Sequence, residues 1–344
     1  MAGDDAHLQP GRTGLITLPK LGFGTAPLGN LYREIAEDDA RATTEAAIDA
    51  GLTHIDTAPH YGLGLAEKRL GRALSNTHSR RDNVVISTKV GRVLLPAEGP
   101  FPPERNCFHS REPFEPAYDY THDGVLRSHE DSLRRLNRDR VDILYVHDIG
   151  RLTHGDAHLA MLAQLFEGGG FRALERLRDE GAIDAFGIGV NETEVAMEVM
   201  DRVHLDVVLM AGRYTLLEQG ALADFFPRCE ADGTAVVIGG PYNSGLLTGG
   251  VTYNYEAAPS AMVDRARAIE AVCTRHGVAL GAAALQFPFA HPAVASVIPG
   301  LASVKEVQET VERYETAIPP ALWDELKAGR LLAADAPTPL EVPA

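Results

Sequence analysis

Eight short apolar, β-branched runs separated by amphipathic helical stretches predict an α/β chain, folded as a (β/α)8 TIM barrel with long loops at the carboxyl face of its strands. Two further observations support that reading. Four of the runs carry polar residues at or just past their ends, and polar groups that terminate parallel strands project from the carboxyl edge, where such barrels build their active sites. The stretch Gly62-Leu-Gly-Leu-Ala-Glu67 begins like a dinucleotide fingerprint, but Glu67 replaces its third glycine. It also follows a complete strand and loop instead of forming the first tight turn, so it reads as a loop that starts a helix.

The runs occupy residues 21–27, 54–59, 84–90, 142–148, 185–190, 207–212, 235–240 and 295–300. Between them, residues 37–50 and 124–136 place apolar side chains at helical spacing. Two connections exceed the usual length: residues 91–123, rich in Pro, Phe and Arg, and residues 149–170, which end in Gly168-Gly-Gly. Both follow strands and should overhang the catalytic face. Phe101, Phe108, Phe114, Tyr118 and Tyr120 make the first a lid rather than a tether. A single barrel is expected over residues 13–333, with loose termini at 1–12 and 334–344, the latter carrying Pro337, Pro339 and Pro343.

The chain has 344 residues, 45% hydrophobic and 23% charged, enough to bury one large core. A formal net charge of -16 repels a phosphate backbone, and no basic run interleaved with aromatics offsets it, so nucleic acid is excluded as an expected partner. No apolar stretch reaches the roughly 20 residues that span a bilayer. The segment Met1-Ala-Gly-Asp-Asp5 lacks the basic-then-apolar pattern of a signal peptide, and a cytoplasmic protein without a membrane partner is expected. Cys107, Cys229 and Cys273 are widely spaced; they specify neither a disulfide framework nor a metal knuckle and read as small apolar filler. His54, Asp56, His147 and Asp148 are the best metal cluster on offer, but they lack HxH or HExxH spacing. No metal site is expected.

Asp56, Tyr61, Lys89, His147 and Asn191 stand at or just past the ends of four strands. A tyrosine, with an ordinary pKa of about 10, is a poor acid or base near neutral pH, and an adjacent ammonium lowers that value by stabilising the phenolate. Lys89 is the available ammonium, Asp56 can hold it by a salt bridge, and His147 can hydrogen-bond the reacting oxygen. Such a set moves one proton to or from an oxygen while something else moves a hydride, which is alcohol–carbonyl interconversion. Singly, each residue has a plainer reading: Asp56 a turn cap, Tyr61 a loop anchor, Lys89 a solvated strand end, His147 a semi-buried histidine. Four correct types at the ends of three successive strands favour catalysis.

From about residue 21 to 314 the chain resembles the aldo-keto reductases. The resemblance rests on Gly22-Phe-Gly-Thr25, Asp56-Thr-Ala-Pro-His-Tyr61 with Gly64 and Glu67 following, Thr88-Lys89, and Asp142-Ile-Leu-Tyr-Val-His147. It implies a barrel oxidoreductase that binds a nicotinamide cofactor without a Rossmann domain. It implies a tetrad of Asp56, Tyr61, Lys89 and His147, with Tyr61 the general acid or base, Lys89 tuning it, Asp56 orienting Lys89 and His147 positioning substrate. Asn191 matches the ligand of the nicotinamide carboxamide, and Gly24, Thr25 and Glu309 join the implied cofactor contacts. Where many members carry a strand-seven aromatic that stacks on the nicotinamide, this chain has Gly239 and Gly240, leaving Tyr242 or Tyr214 to substitute. The strand-six glutamine appears as Ala211. The pyrophosphate is expected beside Asn243, Ser244, Leu246 and Thr248, in the loop after strand seven.

Members that prefer NADP place a Lys just after strand eight and an Arg early in the next helix; here Gly300 and Glu306 hold those positions. A carboxylate repels a 2′-phosphate and accepts a hydrogen bond from a ribose 2′-hydroxyl, which favours NAD over NADP, although Glu306 also suits a helix amino terminus by itself. Within the family the likeness is to the D-threo-aldose (L-fucose) 1-dehydrogenase group, with pyridoxal 4-dehydrogenase nearby. It rests on residues 57–64, 87–92, His147-Asp148, Ala211-Gly-Arg-Tyr-Thr215 and residues 242–247. The implied reaction is oxidation of an L-fucose, D-arabinose or L-galactose type hemiacetal at C1 to the aldonolactone, with Arg92 and Asp148 meeting sugar hydroxyls or serving only as surface charge. The alternatives are oxidation of pyridoxal, a general aldehyde or ketone reductase, a cofactor-binding regulatory barrel, and a metal-dependent barrel hydrolase or isomerase. The expected partner is a small sugar or aldehyde; the oligomeric state is left open.

Overall fold

The computed structural model describes residues 6–8, 16–76 and 84–339. Its eight parallel barrel strands are β1 (Phe23–Gly24), β2 (His54–Asp56), β3 (Val85–Val90), β4 (Ile143–His147), β5 (Ala185–Val190), β6 (Val207–Ala211), β7 (Ala235–Gly239) and β8 (Val294–Ile298). They are hydrogen-bonded in chain order. Parallel bridges Leu21 to Val297 and Gly24 to Gly300 bring the last strand to the first and close the barrel. Each expected strand is present, the fifth with its expected bounds and the others shorter. β1 ends at Gly24 because Pro27 belongs to a 3-10 turn at Ala26–Gly29, and proline pre-sets the φ of such a turn.

The outer layer begins with α1 (Glu37–Asp49), α2 (Leu65–Asn76), α3 (His122–Leu136), α4 (Arg151–His154), α5 (His158–Phe166) and α6 (Gly170–Asp179). It continues with α7 (Thr193–Met200), α8 (Phe225–Asp232), α9 (Ser260–Arg275), α10 (Leu280–Gln286), α11 (Val304–Glu315) and α12 (Pro320–Ala328). Three acidic residues in the first turn of α1 complement its amino-terminal partial charge. Thr121 caps α3 by accepting a hydrogen bond from the Gly124 N–H, and Asn137 ends that helix in the left-handed region.

Strand alternation decides which residues reach the site. Along β4, Ile143 and Tyr145 fill the barrel interior, whereas Leu144 and Val146 pack outward against the helices. His147 continues the inward series, as do His54 and Asp56 on β2 and Ser87 and Lys89 on β3. Beside Lys89 on the outward face, the Thr88 hydroxyl donates to Glu67 Oε1 at 2.7 Å, and Arg135 Nε donates to Glu67 Oε2 at 2.6 Å. This buried carboxylate joins α2, α3 and β3, confirming that the segment is a helix start. The loop bearing Tyr61 crosses another at Gly29 and Gly62: a Cβ on Gly29 would sit 2.6 Å from the Tyr61 carbonyl carbon, and one on Gly62 2.4 Å from the Gly29 oxygen.

Several expectations change. Ala6–Leu8 pairs antiparallel with Ile16–Leu18, and Ile16 and Leu18 join the barrel's inner cluster, so part of the terminus expected to be loose is a hairpin. At the other end Ala336 is buried; residues 340–344 lie outside the described residues. The connection 91–123 folds into two hairpins, one pairing Arg92–Pro96 with Phe114–Tyr118 and one pairing Glu104–Arg105 with Phe108–His109. The connection 149–170 forms α4 and α5. Cys107 is exposed, while Cys229 and Cys273 are buried filler. Among the described residues no helix is long and apolar enough to cross a membrane.

His54 is fully buried beneath the site, with Nδ1 3.1 Å from Ser296 Oγ. Burial first, then the Lys89 charge, push its pKa from 6.5 down to about 3. The unfolded chain therefore binds a proton that the folded chain refuses, and stability present above pH 6.5 is lost as pH falls toward 3. The loss reaches about 5 kcal/mol. Denaturant titrations from neutral pH down to mild acid should show the midpoint falling, and His54→Gln should flatten part of that slope; a slope unchanged by the substitution would assign it elsewhere.

Candidate active site

The polar ends of β2 and β3 meet at the Lys89 ammonium, and His147 at the end of β4 stands beside Tyr61, 6.0 Å between ring centroids. Its Nζ donates to Asp56 Oδ2 at 2.6 Å, to the Thr57 carbonyl at 2.8 Å and to the Tyr61 hydroxyl at 3.1 Å. Three donors meet three acceptors, so the buried cation is fully satisfied. Ser87 Oγ donates to the other Asp56 oxygen at 2.8 Å. Burial pushes the Asp56 carboxyl above its usual range, and the Lys89 charge and these hydrogen bonds oppose the rise. Residue types and strand ends thus meet as expected.

The protonation states differ from the expectation. Burial, followed by the Asp56 and Asp148 carboxylates, pushes the Tyr61 phenol well above its ordinary value, with Arg92 opposing. Desolvation of the phenolate outweighs the Arg92 charge, so burial favours the phenol form of Tyr61. Burial also drives His147 well below its usual value, reinforced by Arg92, Lys89 and His60, and this histidine is neutral. Its Nε2 lies 3.4 Å from Asp148 Oδ2.

Asp148 has a left-handed backbone, φ 47°, which returns its carboxylate over His147, where it pairs with Arg92. The Arg92 guanidinium sits 5.3 Å from the Tyr118 ring centroid. The Tyr120 hydroxyl donates to the His147 carbonyl at 2.8 Å and lies 2.9 Å from His154 Nε2. The hairpin after β3 therefore anchors the end of β4, and Phe108 packs edge-on against His60, 5.4 Å between centroids.

A cleft of about 450 Å³ opens beside Tyr61. Its walls include Gly24, Asn191, Gly239, Tyr242 and Asn243, and further along Ser244, Thr248, Gly300 and Glu306. Arg92 and Asp148 stand beside His147 rather than in this wall. Four of the expected cofactor contacts lie outside this wall. Tyr214 is fully buried among Phe226, Phe287 and His291, because the chain turns at Gly212, φ 68°, and directs it into the helical layer. Thr25 is buried with its hydroxyl on the Asp56 carbonyl at 2.9 Å, Leu246 is core, and Glu309 pairs with Lys305 and Arg313 on α11. The Arg313 guanidinium lies 5.6 Å from the Tyr242 ring centroid, which covers that ring from the helix side.

The residues present fit a nicotinamide dinucleotide. Gly212, Gly240 and Gly245 line the cleft in the left-handed region, φ 68°, 59° and 97°, and expose backbone to a ligand. A Cβ on Gly300 would meet Pro27 Cδ at 3.2 Å, so glycine keeps that wall open. Glu306 Oε2 accepts from the Ala302 N–H at 2.7 Å, and its other oxygen faces Arg33 at 3.3 Å.

The sequence reading assigned no role to His60, Arg213, Tyr32 and Tyr255. Arg213 Nε donates to the Asn191 carbonyl at 2.6 Å; its signal was its place two residues past the end of β6. Tyr32 and Tyr255 line the cleft and both have positive φ, which no pattern of apolar residues reveals. Among the described residues no group of three or more His, Cys, Asp or Glu could hold a metal.

The family model described as the aldo/keto reductase family matches residues 20–329. Pyridoxal 4-dehydrogenase of Microbacterium luteolum is 41% identical over 94% of this chain and 97% of its own. D-threo-aldose 1-dehydrogenase of a Pseudomonas species is 40% identical over 94% of this chain and 96% of its own. The holo form of the aldo-keto reductase AKR11C1 from Bacillus halodurans superposes with a TM-score of 0.70 at 25% identity, covering 96% of this chain and 98% of that one. Aldo-keto reductases are oxidoreductases that use nicotinamide cofactors. With its closed barrel and its strand-end residues gathered around Lys89, the chain belongs to the aldo/keto reductase family.

Proposed function

We propose that this chain oxidises the C1 hydroxyl of a cyclic aldose hemiacetal, of the L-fucose, D-arabinose or L-galactose type, to the aldonolactone, preferring NAD to NADP. The reading rests first on the Lys89 ammonium, saturated by Asp56, Thr57 and Tyr61, because it fixes a proton-transfer oxygen at the wall of the cleft. A relative named as an aldose 1-dehydrogenase, similar over nearly the full chain, supports the substrate class. A bound nicotinamide supplies the acceptor for the hydride that leaves C1. Tyr61 Oη, in the phenolate form that Lys89, held by Asp56, stabilises, takes the C1 hydroxyl proton and becomes the phenol. Neutral His147 hydrogen-bonds the C1 oxygen, while Arg92 and Asp148 meet ring hydroxyls.

Asn191 holds the carboxamide, and the turn through Asn243, Ser244 and Thr248 receives the pyrophosphate. Glu306 favours NAD: its carboxylate lines the cleft and holds Arg33 in an ion pair, so a 2′-phosphate would have to compete with that carboxylate for the cation. Oxidation of pyridoxal is the second reading, favoured by the relative of that name; pyridoxal also closes to a hemiacetal and demands the same proton and hydride transfers.

Reduced-cofactor absorbance, followed with L-fucose, D-arabinose, L-galactose and pyridoxal, each with NAD and with NADP, separates the two readings. Rapid NAD reduction by the sugars is expected; response to pyridoxal alone would transfer the assignment, and silence with all four would remove both. Tyr61→Phe should lower turnover by about 10²–10⁴-fold while NADH binding persists; retained turnover would end the proton-transfer role.

The Tyr61 phenol is raised by burial, so its proton-accepting form is the minor one at neutral pH. Oxidation should therefore accelerate as pH rises, whereas aldehyde reduction, which uses the phenol, should stay flat to about pH 10; a falling oxidative limb above neutrality would contradict this sign. Glu306→Arg should raise the NADP-to-NAD ratio of kcat/KM on the order of tenfold, and an unchanged ratio would refute the role of that carboxylate.

A further inference from the structure

The loop after β7 carries a small hairpin, Thr252–Tyr253 paired with Glu256–Ala257. Its two turn residues, Asn254 and Tyr255, both have left-handed backbone, φ 49° and 66°. A two-residue turn of this kind favours Asn-Gly, because the second position tolerates glycine far better than a bulky residue. Tyrosine at the glycine position is a backbone outlier, and such outliers concentrate where the side chain has a task.

The location supplies the task. Tyr255 is half exposed yet lines the same cleft as Tyr61, Asp56 and Asn191. Its phenol shares that cleft with Tyr61 and Asn191 and lies within the fields of Tyr61, Asp148, Lys89 and Arg213. The Tyr255 N–H donates to Ser244 Oγ at 3.0 Å. The Tyr253 hydroxyl donates to Glu218, whose carboxylate pairs with Arg213 at 3.4 Å. Arg213 in turn donates to the carbonyl of Asn191 at 2.6 Å. The hairpin is thereby tied to the residue assigned to the carboxamide. The β7 wall of the cleft is bare, since Gly239 and Gly240 carry no ring.

We propose that Tyr255 is a specificity-determining residue whose ring forms the outer wall of the substrate site and stacks on the flat C–H face of a cyclic hemiacetal, favouring ring substrates over small acyclic aldehydes. The proposal rests on the dehydrogenase reading above. An aromatic ring supplies apolar area with little conformational freedom to lose, and the polar edge of a sugar remains free to meet Arg92, Asp148 and His147. The Arg213–Glu218–Tyr253 chain is the positioning network for that wall.

The full-length protein should be compared with Tyr255→Gly and Tyr255→Phe. Three quantities are read: kcat/KM for oxidation of the cyclic sugar with NAD, kcat/KM for reduction of glyceraldehyde with NADH, and NADH affinity by fluorescence. Glycine relieves the left-handed strain, so the Tyr255→Gly protein should unfold at or above the wild-type temperature and any loss belongs to the missing ring. The ratio of cyclic to acyclic kcat/KM should fall by about tenfold in Tyr255→Gly, mainly through KM. Tyr255→Phe should keep the ratio, and NADH affinity should move far less than the ratio in either variant. An unchanged ratio in Tyr255→Gly overturns the proposal while leaving the dehydrogenase reading intact. A loss concentrated in NADH affinity overturns it in favour of a cofactor strap, and a Phe variant as unselective as the Gly variant overturns stacking in favour of the hydroxyl. Failure of the wild-type protein to oxidise any cyclic hemiacetal overturns both readings together.

Discussion

The structure of the site depends on one ammonium group kept out of water. The Lys89 side chain is 2% exposed and its partner Asp56 3%. Removing such ions from water costs several kcal/mol each, repaid only when every donor and acceptor finds a partner. Lys89 meets that condition with three acceptors, and Ser87 takes the second Asp56 oxygen. Leaving either charge alone would cost roughly 3–5 kcal/mol, so strands β2 and β3 must stay in register. Gly189 on β5 leaves room along the lysine chain: a Cβ there would already touch Lys89 Cε at 3.5 Å. The crossing at Gly29 and Gly62 then holds the loop that brings Tyr61 within reach.

Burial serves the chemistry by opposing charge wherever no partner is supplied. His54 and His60 are held neutral, each at about 3, and His147 is neutral as well. Lys89 therefore faces uncharged imidazoles on the inner wall, and its attraction is directed to Asp56 and Tyr61. Arg92 and Asp148 neutralise one another beside His147, leaving a polar rim without a large net charge, as suits a ligand that presents hydroxyls rather than phosphate. The same economy governs Glu306, which caps the start of α11, with its own N–H donated to Ser303 Oγ at 3.2 Å, while its carboxylate lines the cleft.

Much of this was legible in the linear chain. Strand alternation has a period of two, so a polar residue two positions beyond an inward apolar one must also point inward; Tyr145 to His147 is the clearest case. The β-branched runs located all eight strands to within a few residues, with errors at the ends where chain direction is set by turns. The long connections were recognised, but their hairpins and the short helices α4 and α5 were not, because two-residue strands leave no periodic signal.

The sequence by itself determined the barrel and the residue types at the ends of β2, β3 and β4, because hydrophobic periodicity and strand register are local properties. Only the tertiary structure decided where side chains beyond the strand ends point. Tyr214 turns into the helical layer and Glu309 pairs along its own helix, while Tyr255, 194 residues from Tyr61 by numbering (255 less 61), lines the same cleft. Tertiary structure also set the direction of the pKa shifts, since desolvation depends on how much of the whole fold closes around a group: burial pushes the Tyr61 phenol up, where an adjacent ammonium by itself would lower it.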